Sequence, residues 1–342
     1  MQSATDWLEA LSPWPTEGFG TERMVELLAR LGDPQRTFRS VHIVGTKGKS
    51  TAARRIAATI GGLAYTSPHV SGWHERLQTD AAGFERAVAR VQADALAVGA
   101  TQFETVTAAA FADFAARGTE AAAVEAGLGG RHDATNVIGA PVVLLTNVAL
   151  EHTDVLGATR KEIAAEKLAV AGPAATVVLP DAEFALLLEG RDVRIGGARE
   201  AAEAFLGRPV AALADAALPG RLEIRGAEVR DGAHTPEAVE WLLERLPGPP
   251  GGYVVVASIL GDKDADGILE RLARAGRILV ATRSSNNRAL PTGEVAARAR
   301  IWFEEVETAD DPRDALRLAR ALGPRVLVTG SLYLLADLAQ DE

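Results

Sequence analysis

The chain has no cysteine, which excludes disulfide bridges, thiolate metal sites and cysteine nucleophiles, and is compatible with a reducing cytosol. Basic charge is not in excess either. Against 46 Asp and Glu stand 36 Lys and Arg, a net charge of -10. That balance argues against nucleic acid as a main partner, while leaving room for an anionic ligand at a local positive site. No apolar run approaches the roughly 20 residues needed to span a bilayer, so no membrane partner is expected. The first residues, MQSATDWLEALSPWP, lack the basic and apolar regions of a secretory signal. Internal repeats and long low-complexity tracts are absent as well. What remains is the expectation of a soluble, cytoplasmic globular enzyme of 342 residues, long enough for two domains that each bury a core.

What is present is most concentrated in Ser40–Thr51, SVHIVGTKGKST. An apolar strand (Val41, Ile43, Val44) runs into a glycine-rich loop, then a lysine, then two hydroxyls that open an alanine-rich helix. Such a loop turns backbone N–H groups toward one point, where the helix N-terminus already favours negative charge. Lys49 adds a full positive charge, and Ser50 or Thr51 is placed to reach a magnesium ion. The strict phosphate-loop pattern is not met, because Ile43 stands where its first glycine belongs. The shorter form G-T-x-G-K-S-T stands instead, and phosphate binding is its reading.

Short β-rich runs alternate with longer helical ones along the chain. Helices are expected at 49–60, 83–98, 103–116 and 160–170, with strands at 63–66, 121–125, 142–146 and 176–179. Strands interleaved with helices of this length predict a parallel, doubly wound sheet. From 180 to 219 the pattern weakens into an alanine-rich stretch taken to hold the domain junction. A second series follows, with strands at 222–225, 228–230, 253–258, 277–281, 305–308 and 325–329 and helices at 237–245, 264–275 and 312–322. The expected fold class is α/β: an N-terminal P-loop NTPase-like doubly wound domain (1–200) and a smaller C-terminal Rossmann-like α/β domain (201–342).

Polar residues gather at the C-terminal ends of several expected strands, where open α/β sheets bind ligands. They are Ser67 and His69, Glu125, then Asn147, Glu151 and His152, and in the second series Asp231 and His234. An isolated glutamate at a strand end is more often a solvated or capping group. Several such groups on the sheet edge that carries a phosphate loop point instead to Mg²⁺ ligation, for which carboxylates and hydroxyls suit better than imidazole.

An ordered set of segments extends the reading beyond that loop: GTERMVELLARLGDP, HIVGTKGKST, YTSPHVSGWHERL, FETVTAAAFADF, VEAGLGGRHDATNVI, LTNVALEHTDVLGATRKEIAAEKLAV, LPGRLEI, VRDGAHTP, SILGDKD, RALP and VTGSLYLLADL. With them the chain resembles the Mur ligase superfamily, specifically the folylpolyglutamate synthase/dihydrofolate synthase family. The resemblance implies that Gly45, Thr46, Lys47, Gly48, Lys49, Ser50 and Thr51 hold the ATP phosphates. It implies that Ser50, Ser67, Glu125 and His152 ligate magnesium at two sites, and that Lys167 is carried as a carbamate. From the second domain, Arg221 and Asp231 would reach the nucleotide and His234 the reacting centre, making Lys49, Lys167 and His234 the catalytic set. Thr21, Arg23, His132 and Asp133, beside GTERM, TQFE and GGRHDAT, are the folate-contacting candidates. Four features depart from the family pattern. Ser50 replaces a common glycine, Thr235 replaces an asparagine, the span from Lys167 to Arg221 is short, and the step from Thr51 to Tyr65 is trimmed by a few residues.

The implied reaction is ATP-dependent amide formation, in which a folate or dihydropteroate carboxylate becomes an acyl phosphate that L-glutamate then captures. The partners implied are these small molecules, and the family suggests a monomer. Another P-loop ATPase or a Mur-type ligase with a different acceptor, and a retired nucleotide-binding relative, stay open as alternatives. The sequence does not choose between dihydropteroate and a reduced folate.

Overall fold

The computed structural model describes residues 3–15 and 18–339. The chain folds as two compact units. The first runs to Ala216 but omits Val70–Gly72; the second takes Val70–Gly72 and everything from Ala217 onward. No helix among the described residues is long and apolar enough to cross a membrane.

In the first unit, α1 (Ala4–Glu9) and α2 (Glu22–Arg30) precede β1 (Arg39–Val44) and α3 (Lys49–Ile60). Then come β2 (Leu63–Tyr65), α4 (Ala81–Val98), α5 (Gln102–Ala116), β3 (Ala121–Glu125) and β4 (Val142–Leu145). The unit closes with α6 (Thr153–Leu156), α7 (Arg160–Leu168), β5 (Thr176–Leu179), β6 (Val193–Ile195) and α8 (Ala198–Leu206). All six strands are parallel, in the order β2-β3-β1-β4-β5-β6. Helices cover both faces, so the central strands read as unbroken apolar runs. Along β3 the alternation of side chains sends Ala121 and Ala123 into the cluster of Ala53, Ile56 and Ala57 from α3. Ala122 and Val124 join Phe111 and Phe114 of α5 on the other face. Thr101 and Thr159 begin α5 and α7 with reciprocal capping boxes to Glu104 and Glu162.

The direction of the connections reverses around β1: the chain goes from β1 past β3 to the edge strand β2, then returns through β3 and past β1 to β4. A doubly wound sheet opens its ligand crevice at such a switch point, beyond the carboxyl ends of the strands. The loop 45–48 leaves β1 there.

The two units divide within the stretch 180–219, after Ala216. That stretch also supplies β6, which pairs in parallel with β5, and α8, whose Ala201 and Phe205 pack with Val41, Ile43 and Val178. The expected boundary at 200/201 therefore falls inside α8, and the units divide after Ala216. β6 is three residues long and not fully buried, and α8 is nine residues rich in alanine, so both are short signals in the sequence pattern.

The second unit carries β7 (Glu223–Arg225), β8 (Glu228–Arg230), α9 (Pro236–Leu243), β9 (Val254–Ala257) and α10 (Ala265–Leu272). These are followed by β10 (Ile278–Ala281), α11 (Thr292–Ala299), β11 (Glu305–Thr308), α12 (Pro312–Leu322), β12 (Val326–Thr329) and α13 (Leu332–Ala339). Its sheet runs β11-β10-β9-β12-β8-β7, parallel except for the β7–β8 hairpin. Val255 and Ala257 enter one core and Val254 and Val256 the other, the mark of a strand covered on both faces.

Candidate active site

The loop after β1 is shaped by two glycines in the left-handed half of backbone space, Gly45 at φ 141° and Gly48 at φ 80°. A Cβ at Gly45 would run into Thr146 Oγ1 at the end of β4. The segment after β4 clamps the loop further. Asn147 O accepts from Thr46 N at 3.1 Å and Asn147 Oδ1 from Lys47 N at 2.9 Å, while Ala149 N donates to Thr46 Oγ1 at 3.1 Å. With those two loop amides taken by Asn147, the anion-facing donors shift to the first turn of α3, which has no side-chain cap. Lys49 Nζ bonds Gly45 O at 3.0 Å and Thr46 O at 3.3 Å, which holds its charge at the mouth of the loop. Thr51 lies half-buried on that first turn.

Ser50, Ser67 and Glu125 meet. Ser50 Oγ donates to Glu125 Oε1 at 3.0 Å, Ser67 N to Glu125 Oε2 at 2.9 Å, and Ser50 Oγ lies 3.5 Å from Ser67 O. Glu125 is 2% exposed at the end of β3. His152 does not join them: it stands exposed at the N-cap of the four-residue helix α6, at φ 46°. Among the described residues no group of three or more His, Asp or Glu side chains is placed to hold a metal ion. A cation here would rest on one carboxylate, the serine oxygens and the oxygens of its own ligand. That hard-oxygen set suits Mg²⁺, which keeps waters and phosphates in its shell.

Lys167 lies buried beneath the loop, with Nζ 3.0 Å from Gly45 O and 3.1 Å from Glu151 Oε1. Burial pulls its amine toward the neutral form, Glu151 opposes this, and the nearby Lys49 charge adds to it. Two lysines thus share one carbonyl, Gly45 O. In the sequence Glu151 is one polar group among several; its pairing with Lys167 gives it a definite place.

Of the folate candidates, Asp133 turns inward. Its carboxylate accepts from Gly127 N and Leu128 N at 2.9 Å each, and from Thr135 N at 3.0 Å and the Thr135 hydroxyl. It staples the glycine turn and offers no open face to a ligand, which corrects its expected role. His132 is exposed beside it, and Thr21 is the half-buried N-cap of α2. Arg23 bonds both oxygens of Glu104 through Nε at 3.1 Å. Phe103, next to that glutamate, packs against Gly127, so the segments GTERM, TQFE and GGRHDAT do come together. Sequence reasoning passed over Arg76, which donates to His69 Nδ1 at 3.0 Å and lies 4.4 Å over the Trp73 ring. Burial and the Arg76 charge press His69 down to a pKa of about 3. The signal was present in SPHVSGWHER, where an arginine, two histidines and a tryptophan crowd one loop.

In the second unit, Asp231 is buried and takes Leu222 N at 2.7 Å and Ala233 N at 2.8 Å on its two oxygens. Burial raises its pKa, against the amide of Leu222 and the charge of Arg221. Both oxygens accept backbone amides of the turn, and the Arg221 charge lies close enough to act on the carboxylate. His234 Nδ1 lies 2.7 Å from Gly232 O. A carbonyl only accepts, so Nδ1 carries the proton and Nε2 of the neutral ring is the acceptor.

A family model described as "Mur ligase, glutamate ligase domain" matches residues 220–332. The dihydrofolate synthase/folylpolyglutamate synthase of Mycobacterium tuberculosis is 31% identical, over 88% of this chain and 82% of its own length. The chain belongs to this family. Among solved structures, folylpolyglutamate synthase of M. tuberculosis complexed with ADP superposes with a TM-score of 0.84 at 28% identity, covering 98% of this chain and 96% of that one. The bifunctional folylpolyglutamate synthase/dihydrofolate synthase of Yersinia pestis, complexed with AMPPNP and Mn ion, gives 0.81 at 25% identity, covering 99% and 97%. Family membership agrees with the ordered motifs and with the two α/β units, and it makes ATP-dependent ligation the frame for the geometry above.

Proposed function

We propose that the chain is an ADP-forming ligase that joins L-glutamate to the carboxylate of a folate or dihydropteroate. The observation that carries this is the meeting of Ser50, Ser67 and Glu125 beside the Lys49 phosphate loop, in a chain of this family. The N–H groups at the start of α3 and the Lys49 ammonium would hold the ATP phosphates and draw off charge as the terminal phosphoryl group moves. Mg²⁺ held by Ser50, Ser67 and Glu125 would neutralise phosphate charge when bound; a second ion, with His152, needs that exposed side chain to turn inward.

An acceptor carboxylate oxygen attacks the γ-phosphorus and ADP leaves. The glutamate amine then attacks the acyl carbon, inorganic phosphate leaves and the amine gives up a proton, for which His234 is our candidate acceptor. Arg221 would steady phosphate charge from the second unit. Lys167 is our candidate for a carbamate: burial favours the neutral amine that reacts with CO₂, forming an N–C bond with loss of a proton. Intact mass with and without bicarbonate reads that modification. Arg23, Arg76 and His132 are the polar candidates for the acceptor, with Phe103 and Trp73 as flat surfaces for a pterin. The chain would act as a cytoplasmic monomer.

The deciding experiment is ATP-dependent incorporation of labelled L-glutamate, with dihydropteroate and tetrahydrofolate in parallel and ADP release followed. Product with either acceptor supports the ligase and names its folate step. ADP release without product would point to another acceptor, and neither signal, with ATP still bound, to a retired nucleotide-binding relative.

A further inference from the structure

A cavity of about 540 Å³ opens in the second unit, lined by Arg283, Ser284, Ser285, Thr292, Gly293 and Asp310. It lies at the carboxyl ends of β10 and β11, where the chain turns into α11. The N-cap of α11 is Pro291, and no side chain caps the helix. Thr292 and Gly293, as first-turn residues, therefore have N–H groups without an intrahelical acceptor. Thr292 is 6% exposed and Ser284 3% exposed, and the hydroxyl of each has no hydrogen-bond partner among the described residues. A buried hydroxyl left unpaired costs about 1–3 kcal/mol, so two at one cavity call for something that completes them.

The surrounding loop is held firmly. Ser285 gives its N–H and hydroxyl to Asp337 at 2.8 and 2.6 Å, and Ser284 N donates to Ser258 Oγ at 3.0 Å. Arg283 is exposed and enters no ion pair among the described residues. Among the described residues Asp310 is engaged only through its backbone oxygen, which takes the Thr282 hydroxyl at 3.3 Å.

We propose that this cavity binds a small oxyanion, phosphate or carboxylate, on the first-turn N–H groups of α11, the hydroxyls of Thr292 and Ser284 and the guanidinium of Arg283. Asp310 across the mouth disfavours a bare dianion and favours an oxyanion that also carries an ammonium group, as an α-amino acid does. The site is separate from the phosphate loop, and binding is read without turnover, so it stands or falls apart from the ligase reading.

The test is a titration of the nitrogen-15-labelled full chain with inorganic phosphate and, separately, L-glutamate, following the amide resonances of Thr292 and Gly293. A Lys49→Ala background, run beside the native chain, removes phosphate held at the other loop. Saturable shifts with at least one probe, weakened about tenfold or more by Arg283→Ala, are expected, the loss appropriate to one charge-assisted hydrogen bond. Thr292→Val, nearly isosteric, should weaken binding in the same direction. Tighter phosphate binding in Asp310→Asn assigns the site to phosphate; weaker glutamate binding there assigns it to an amino acid. No saturable shift with either probe, or shifts that ignore both Arg283→Ala and Thr292→Val, would overturn the proposal.

Discussion

His42 shows how one residue behind the reacting loop sets a pH limit on the whole first unit. Its Nε2 lies 2.8 Å from Thr135 Oγ1, whose own proton goes to Asp133, so the ring donates from Nε2 and is neutral. Burial presses its pKa from 6.5 down to about 3. The unfolded chain therefore binds a proton that the folded one refuses. Stability is full above about pH 6.5 and falls as pH drops toward 3, by up to about 1.4 kcal/mol per unit. His42→Gln should flatten the change in urea midpoint between pH 7 and 5; an unchanged slope in the variant would refute this assignment. Lys49 is the residue on which catalysis itself is staked. Lys49→Ala should cut ATP-dependent ADP release by about 100-fold or more, the order seen when one charge-stabilising donor is removed. Turnover that survives the change would place the nucleotide elsewhere.

Elements were legible where an apolar run or a helix was bounded by plain turn residues. The strand 121–125 and the helix 49–60 fall where the pattern put them, because buried parallel strands and a glycine-bounded helix leave plain marks. β6, α8 and α11 escaped because three, nine and eight residues show little of a period. The site was legible as a set of residue types, since a phosphate loop and strand-end oxygens name their chemistry. Which of them meet was not, and the inward turns of Asp133 and Asp231 depend on backbone amides that no side-chain pattern encodes. Thr235 is a departure from the family whose meaning the structure supplies: it is the N-cap of α9, accepting from Ala238 N at 3.3 Å. Asparagine caps as well or better. Thr235→Asn should thus leave stability within about 0.5 kcal/mol, whereas Thr235→Ala should cost about 1 kcal/mol in chemical denaturation. Equal stability of all three chains would remove the cap from the account.

At the scale of the molecule, the proposed reaction divides its residues between units that each have a core of their own. Lys49, Ser50 and Glu125 belong to the first unit, and Arg221 and His234 to the second. An acyl phosphate hydrolyses readily, so the chemistry profits only if water is kept out while the amine arrives. Units joined by a few chain crossings do this by closing on their ligands. One crossing bears directly on the site. Ser67, bonded to Glu125, lies three residues before Val70, which is buried among Leu334, Leu335 and Val256 of the second unit. On the closure proposed here, movement of that unit would pull on the segment that ends at Ser67. We predict that an ATP analogue with dihydropteroate lowers the radius of gyration in small-angle scattering, and that the analogue alone lowers it less. A radius indifferent to both ligands, with binding shown independently, would mean that the acyl phosphate is sheltered without closure and that the Ser67–Val70 link carries no motion.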